Sequence, residues 1–252
     1  VLAKNATLSE VESVDKLLGM IKPLLQDSPG GAEPPQPDDM STQVTVEEEQ
    51  QLVARLVHLM KSRDTDIMFR MLVAARRNFG QGATGRIQYT LVPLVFRALE
   101  LVRTIPAAEA ASVEVARQFS SRKVFQFLHE IITAMGPSFP WTSLTLFLQC
   151  AMGADRAGFN AISYEFFSQA FILYEDEVTD SKVQVRALVA MVGALVCCVG
   201  FDAVDYEALA GRTAQYAAKL LKKPDQCRVV TLCSHLFWVP EEVRASSSGR
   251  VL

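Results

Sequence analysis

The chemistry this chain can offer rests on three histidines, five cysteines and two charge clusters. The histidines, His58, His129 and His235, lie far apart, and no HExxH pattern joins any two of them. The cysteines are Cys150, Cys197, Cys198, Cys227 and Cys233. Their number is odd and none forms a CxxC pair. That argues against a disulfide framework and for a reducing compartment. Cys227, Cys233 and His235 invite a zinc reading. On one helix, however, Cys227 and Cys233 point about 240° apart and cannot converge on one ion unaided. Buried thiols that pack as small hydrophobes are preferred over zinc, and no metal or cofactor is expected.

The acidic cluster is Glu175, Asp176 and Glu177. A calcium loop would need its ligands at alternating positions around a central glycine, and these three are consecutive. A solvated loop end is the bland reading; a partner protein covering it is the alternative. The basic cluster is Lys219, Lys222 and Lys223, spaced i, i+3, i+4, which predicts one stripe at the end of a helix. FGQGATGR (Phe79 to Arg86) has the glycines of a phosphate loop but lacks the following Lys-Ser or Lys-Thr, so it reads as an interhelical turn. No G-x-S-x-G or P-loop pattern occurs. The chain is read as having no catalytic site.

The elements that must position these clusters are helices. Apolar residues recur at helical spacing almost everywhere after residue 44. Examples are Leu52, Val53, Leu56, Val57 and Met60; Val92, Val95, Phe96, Leu99 and Val102; Val124, Leu128, Ile131 and Met135; and Leu209, Thr213, Tyr216, Ala217 and Leu220. Glycine, proline and aspartate punctuate the joints at Gly80 to Gly85, Gly136 to Pro140, Asp155 to Gly158, Thr179 and Asp180, Gly200 and Asp202, and Pro224 and Asp225. Asp225 is expected to cap the final helix. Helix pairs recur roughly every 40 residues, the period of HEAT-like solenoids. Several helices are apolar on two faces, as stacked layers require. An all-α solenoid of antiparallel helix pairs is therefore expected, with a compact helical bundle as the structural alternative.

Composition sets the remaining bounds. Half of the 252 residues are apolar, enough for a continuous core. The formal net charge of −3 argues against nucleic acid, which demands a basic face. The longest apolar run, Ala187 to Phe201, falls short of the roughly 20 residues a bilayer core requires. The chain opens at Val1 with no signal-peptide pattern and no initiator methionine, and reads as a piece of something longer. Leu8 to Leu25 predicts one amphipathic helix, within a 1–26 segment that belongs to a preceding repeat. Asp27 to Gln43 holds four prolines and two glycines and predicts a disordered loop, the first place a protease should cut. The solenoid is expected over 44–239 and an unstructured tail over 240–252.

Several strings resemble the C-terminal half of the largest subunit of retromer, the endosomal sorting coat. They are IQYTLVPLVFRALEL (Ile87 to Leu101), LFLQCAMGA (Leu146 to Ala154), YEFFSQAFILYEDEVTDSK (Tyr164 to Lys182) and KLLKKPDQCRVVTLCSHLFW (Lys219 to Trp238). RLVHLMKSRDTD and AARRNFGQG agree as well, so the resemblance covers roughly Ser9 to Trp238. It implies a right-handed α-solenoid of HEAT-like pairs that acts as a scaffold without catalytic activity, on the cytoplasmic side of endosomal membranes. A different α-solenoid adaptor or a nuclear-transport scaffold is the alternative.

The resemblance also implies partners. The C-terminal half of such a scaffold cradles a metallophosphoesterase-like subunit, and here His235, Phe237 and Trp238 are the candidate contacts. An arrestin-like subunit is bound through a motif that this chain does not contain. Sorting nexins and membrane are engaged only indirectly. The scaffolds also pair with themselves, and both charge clusters match positions where they do so. Glu175, Asp176 and Glu177 of one copy are thus expected to face Lys219, Lys222 and Lys223 of another in a weak homodimer. Members of the family continue for several helices past the HLFW string, whereas VPEEVRASSSGRVL follows it here. Truncation or divergence at this point would remove part of the cradle.

Overall fold

The computed structural model describes residues 8–26, 40–111 and 119–238. Residues 27–39 of the loop expected over 27–43, the 240–252 tail and residues 1–7 lie outside the described residues. Eleven helices are found among the rest: α1 (Val11–Met20), α2 (Lys22–Leu25), α3 (Met40–Leu59), α4 (Thr65–Phe79), α5 (Thr84–Ala111), α6 (Ser121–Met135), α7 (Pro140–Arg156), α8 (Asn160–Asp176), α9 (Ser181–Cys197), α10 (Ala203–Ala218) and α11 (Lys223–Phe237). The only extended pairing described is an isolated bridge between Leu8 and Met60. The all-α class expected from the apolar spacing is the class observed. The chain divides into two compact units, residues 1–131 and 132–252.

In the second unit each helix packs on the next one or two along the chain, as in an α-solenoid. α7 packs on α8 and α9, α9 on α10 and α11, and α10 on α11. α7, α9 and α11 thereby form one row and α8 and α10 the other. The second row is joined by rings: Tyr216 of α10 lies 5.7 Å from Phe171 and 5.0 Å from Tyr174 of α8, centroid to centroid. Within the first row the Arg186 guanidinium of α9 sits 4.6 Å above the Trp141 ring of α7. Such contacts are specific to the charge and quadrupole of the partners and so fix register as well as burying area.

The joints of this unit are sealed by short polar side chains. Asp180 accepts from the Lys182 and Val183 amides at the start of α9, and Asp202 accepts from the Asp205 amide at the start of α10. Each satisfies helix-terminal donors that have no partner inside the helix. A deeper lock ties three helices. Buried Asp155, near the end of α7, accepts from the backbone amides of Val199 (2.9 Å) and Gly200 (2.8 Å), just past α9. Asn160 at the start of α8 donates to the Gly200 carbonyl. A Cβ on Gly200 would sit 2.5 Å from Asn160 Oδ1 and 3.0 Å from Asp155 Oδ1, so a larger residue would push these two side chains out of the lock.

The first unit is ordered differently. α1 packs on α4, α4 on α5, and α5 on α3, while short α2 touches α1 and α3. Leu8 bridges to the end of α3 through Leu8 N–H to Leu59 (2.9 Å) and Lys61 N–H to Leu8 (2.9 Å). Two ion pairs connect its surface: Arg77 with Asp15 at 2.6 Å and Arg76 with Glu130 at 2.5 Å. The glycines of the α4–α5 turn serve a close approach. A Cβ on Gly82 would meet the carbonyls of Phe79 at 3.0 Å and Leu25 at 3.1 Å. FGQGATGR is accordingly an interhelical turn, at which Ala83 donates to the Leu25 carbonyl.

Several expectations need correction. Leu8 to Leu25 is not one helix: α1 ends at Met20 and α2 restarts at Lys22, because Pro23 cannot donate to a continuing helix but fits the first turn of a new one. α1 packs on α4 of the same unit. The segment read as a loop to Gln43 ends earlier; α3 begins at Met40, past the last proline, Pro37. The α5 stripe is rotated. Leu91, Leu94, Val95, Ala98, Leu101, Val102 and Ile105 are buried, whereas Phe96 is exposed. Leu52, in the α3 stripe, is exposed too.

Candidate functional site

The two charge clusters meet at one end of the second unit. Glu175 and Asp176 close α8 and Glu177 is its C-cap; all three side chains are exposed. Carboxylates at a helix C-terminus oppose its dipole. A nearby cation offsets this at Glu175. Arg212 of α10 reaches across to Glu175 at 2.8 Å, with both side chains partly exposed. The same guanidinium lies 4.8 Å above the Phe171 ring and donates through Nε to the Tyr216 hydroxyl at 2.8 Å. Arg212 is thus gripped on three sides by α8 and its own helix. The ion pair alone contributes about 0–1 kcal/mol at such exposure; its main effect is to fix where Glu175 points.

The lysines do not form a helical stripe. α10 ends at Ala218; Lys219 is its C-cap, Lys222 is the extended N-cap of α11, and Lys223 is the first residue of α11. Pro224 explains the break, since proline is suited to the first turn of a helix and cannot continue an earlier one. Asp225, expected as the cap, lies instead in the first turn. The dipole argument then divides the cluster. Lys219 sits at a helix C-terminus, which favours a cation, while Lys222 and Lys223 sit at an N-terminus, which does not. All three lysines are exposed.

Glu175 and Lys219 line the same open depression of about 470 Å³, together with Glu207, Ala208, Gly211 and Arg212 of α10. The acidic corner and the lysine joint are therefore neighbours on one copy. Arg212 escaped the sequence reading because its partner in α8 is 37 residues away and no local spacing signals such a pair.

On α11 only one face is buried, carrying Val229, Cys233 and Leu236. Cys227 and His235 are exposed, Phe237 is 49% exposed and Trp238, the C-cap, 69%. Tyr206 of α10 anchors the helix end by donating to the Leu236 carbonyl at 2.9 Å. Burial raises the Cys233 thiol, and raises the fully buried Cys150 thiol far more, so neither is poised as a thiolate ligand or nucleophile. Among the described residues no three His, Cys, Asp or Glu side chains gather in a metal-binding group, and no helix is long and apolar enough to cross a membrane.

Comparison with known proteins places this geometry. The family model described as vacuolar protein sorting-associated protein 35 matches residues 1–252. Vacuolar protein sorting-associated protein 35A of Arabidopsis thaliana is 38% identical over 256 residues, taking in 100% of this chain and 32% of the relative. The protein 35 of Dictyostelium discoideum is 32% identical over 246 residues, 95% of this chain and 31% of the relative. That of Schizosaccharomyces pombe is 31% identical over 241 residues, 94% of this chain and 26% of the relative. The chain thus spans no more than about a third of the length of these curated relatives.

Proposed function

The chain belongs to the vacuolar protein sorting-associated protein 35 family, and from that premise we propose that it is a scaffold segment of the retromer coat, binding proteins rather than catalysing a reaction. It works on the cytoplasmic side of endosomes in retrograde transport to the Golgi or plasma membrane. It reaches membrane only through sorting nexins. An arrestin-like subunit is held by a part of the scaffold outside this chain. Family membership favours this over another α-solenoid adaptor or a nuclear-transport scaffold.

The observation that carries the reading is the end of α11. Phe237 and Trp238 are both exposed beside exposed His235, at the close of the α7–α9–α11 row. Exposed aromatics at one helix end are the kind of side chain that anchors a protein contact. The occupant in this reading is the metallophosphoesterase-like subunit. Pull-down on that subunit tests it: the wild-type chain is captured, while H235A and the pair F237A/W238A are lost from the beads with helicity unchanged. Equal capture of all three proteins overturns the assignment.

The charge clusters are the second surface in this reading, a weak contact between copies. Asp176 and Glu177, with Glu175 held by Arg212, face Lys219, Lys222 and Lys223 of the other copy. Exposed pairs are individually weak and screened by salt. Reversal of the three lysines to glutamate abolishes dimers in sedimentation velocity at low salt. A wild-type chain that stays monomeric there at high concentration sinks this surface.

A further inference from the structure

In the first unit, the joint between α3 and α4 borders a depression of about 300 Å³ together with the middle of α5. Ser62 and Arg63 of the joint line it, with Thr65, the first residue of α4, and Arg97 and Glu100 of α5. The buried side chains of Met68 and Leu101 add an apolar lining.

This lining is rich in donors and short of acceptors. The Arg97 side chain is only 18% exposed. It donates through Nη1 to the Glu100 carboxylate and through Nη2 to the Met60 carbonyl at 2.9 Å. Its Nε is buried and has no hydrogen-bond partner among the described residues. A buried donor of a charged group costs more to leave unpaired than a neutral one. Ser62 Oγ accepts from the Asp64 amide at 3.1 Å, which leaves its own hydrogen for another acceptor. Arg63 is exposed and brings a second positive charge. The one carboxylate in the lining, Glu100, is already engaged by Arg97. Asp64 and Asp66 are not in the lining, and the Asp64 carboxylate is taken up by the Asp66 and Ile67 amides.

We propose that this depression binds a small oxyanion, a carboxylate or phosphate group that accepts from Arg97 Nε and Ser62 Oγ and is neutralised by Arg63. A water molecule would satisfy Nε and leave the excess positive charge. An oxyanion answers both, and hydrogen bonds between charged partners are the stronger kind. The volume stands at the lower limit for ligand pockets, which suits a small molecule. Met68 and Leu101 give a short apolar body something to lie against. The bound anion would tie the α3–α4 joint to α5, two parts of the unit that Arg97 alone now links through the Met60 carbonyl. The proposal stands on this pocket and is independent of the scaffold reading.

Nuclear magnetic resonance of the whole chain tests it, because an arginine Nε–H gives a signal separate from the backbone amides. The probes are sodium phosphate, acetate and butyrate, each compared with sodium chloride at equal ionic strength. A saturable shift of the Arg97 Nε–H and of the Ser62, Arg63 and Thr65 amides is expected with the oxyanions and not with chloride. Tighter binding of butyrate than of acetate or phosphate identifies a carboxylate ligand whose body lies on Met68 and Leu101. Tightest binding of phosphate identifies a phosphoryl group. Ser62→Ala should raise the dissociation constant about tenfold, and Arg63→Gln roughly two- to fivefold, with melting unchanged in both. If the shifts fail to saturate, match those in chloride, or persist undiminished in both variants, the depression holds only water and the proposal is wrong.

Discussion

The two units solve the same packing problem with different chemistry. Residues 132–238 are held by contacts between helices one or two steps apart in the chain, with joints closed by buried Asp155, half-buried Asn160 and the exposed caps Asp180 and Asp202. Residues 8–131 depend on pairings that skip along the chain, α1 with α4 and α3 with α5, and on exposed ion pairs at Asp15 and Glu130. Buried polar locks are strong because their loss strands donors away from water. Exposed ion pairs are weak because water and salt replace them. The second unit should therefore respond sharply to the loss of Asp155, whereas the loss of one ion pair in the first should cost little.

The largest test of that contrast is Asp155→Ala. It strands the amides of Val199 and Gly200 and should cost about 3 kcal/mol, within the range for breaking a buried polar network. Urea unfolding reads it directly; a loss under 1 kcal/mol would break the comparison. Next comes Tyr206→Phe, which removes the hydroxyl from the Leu236 carbonyl. A cost of about 1–2 kcal/mol is expected, with faster amide exchange at the end of α11. Cap removal is smaller. Asp180→Ala should cost about 1 kcal/mol, while Asp180→Asn, which keeps an acceptor oxygen, should cost much less. Equal losses for the two would show that the cap is not what Asp180 contributes.

The smallest effects belong to the first unit and sharpen the contrast through pH. Hydrogen bonds from Arg77 and Asn78 hold the Asp15 carboxyl below its ordinary value, and the bond from Arg76 does the same for Glu130. A depressed folded-state pKa contributes stability that is present above the ordinary carboxylate range and lost as pH falls through it. Hydrogen exchange should show α1, α4 and the stretch of α6 around Glu130 loosening as pH drops below about 4. Asp15→Asn should remove part of that dependence and leave stability at neutral pH changed by well under 1 kcal/mol. A uniform response of both units would remove the distinction.

How much of this was legible depends on the range of the signal. The all-α class was, because apolar spacing is local and repeats in each helix. The joints at Asp180, Asp202 and Gly200 were too, since cap and turn residues act on neighbours. Face assignment slipped on α5, where a helix apolar on several sides does not announce which side is covered; Phe96 was placed inward and lies outward. The lysine spacing misled because it took the helix before Pro224 to run as far as Lys223, whereas α10 ends at Ala218. Arg212 and its hold on Glu175 and the Asp155 lock were not legible, because each depends on residues far along the chain.

The Asp155 lock has a consequence for how this surface can change over generations. Its carboxylate holds main-chain amides, not side chains, so it is indifferent to which residue stands at Val199. That side chain is 51% exposed. Position 199 can therefore drift, or be recruited to a new contact, while the joint beneath keeps its geometry. Gly200, one residue on, has less latitude, because a side chain there would press on Asn160 and Asp155. Neutral variation and tighter constraint thus sit side by side on one turn, and a library of substitutions at 199 and 200 should separate them cleanly by folding yield.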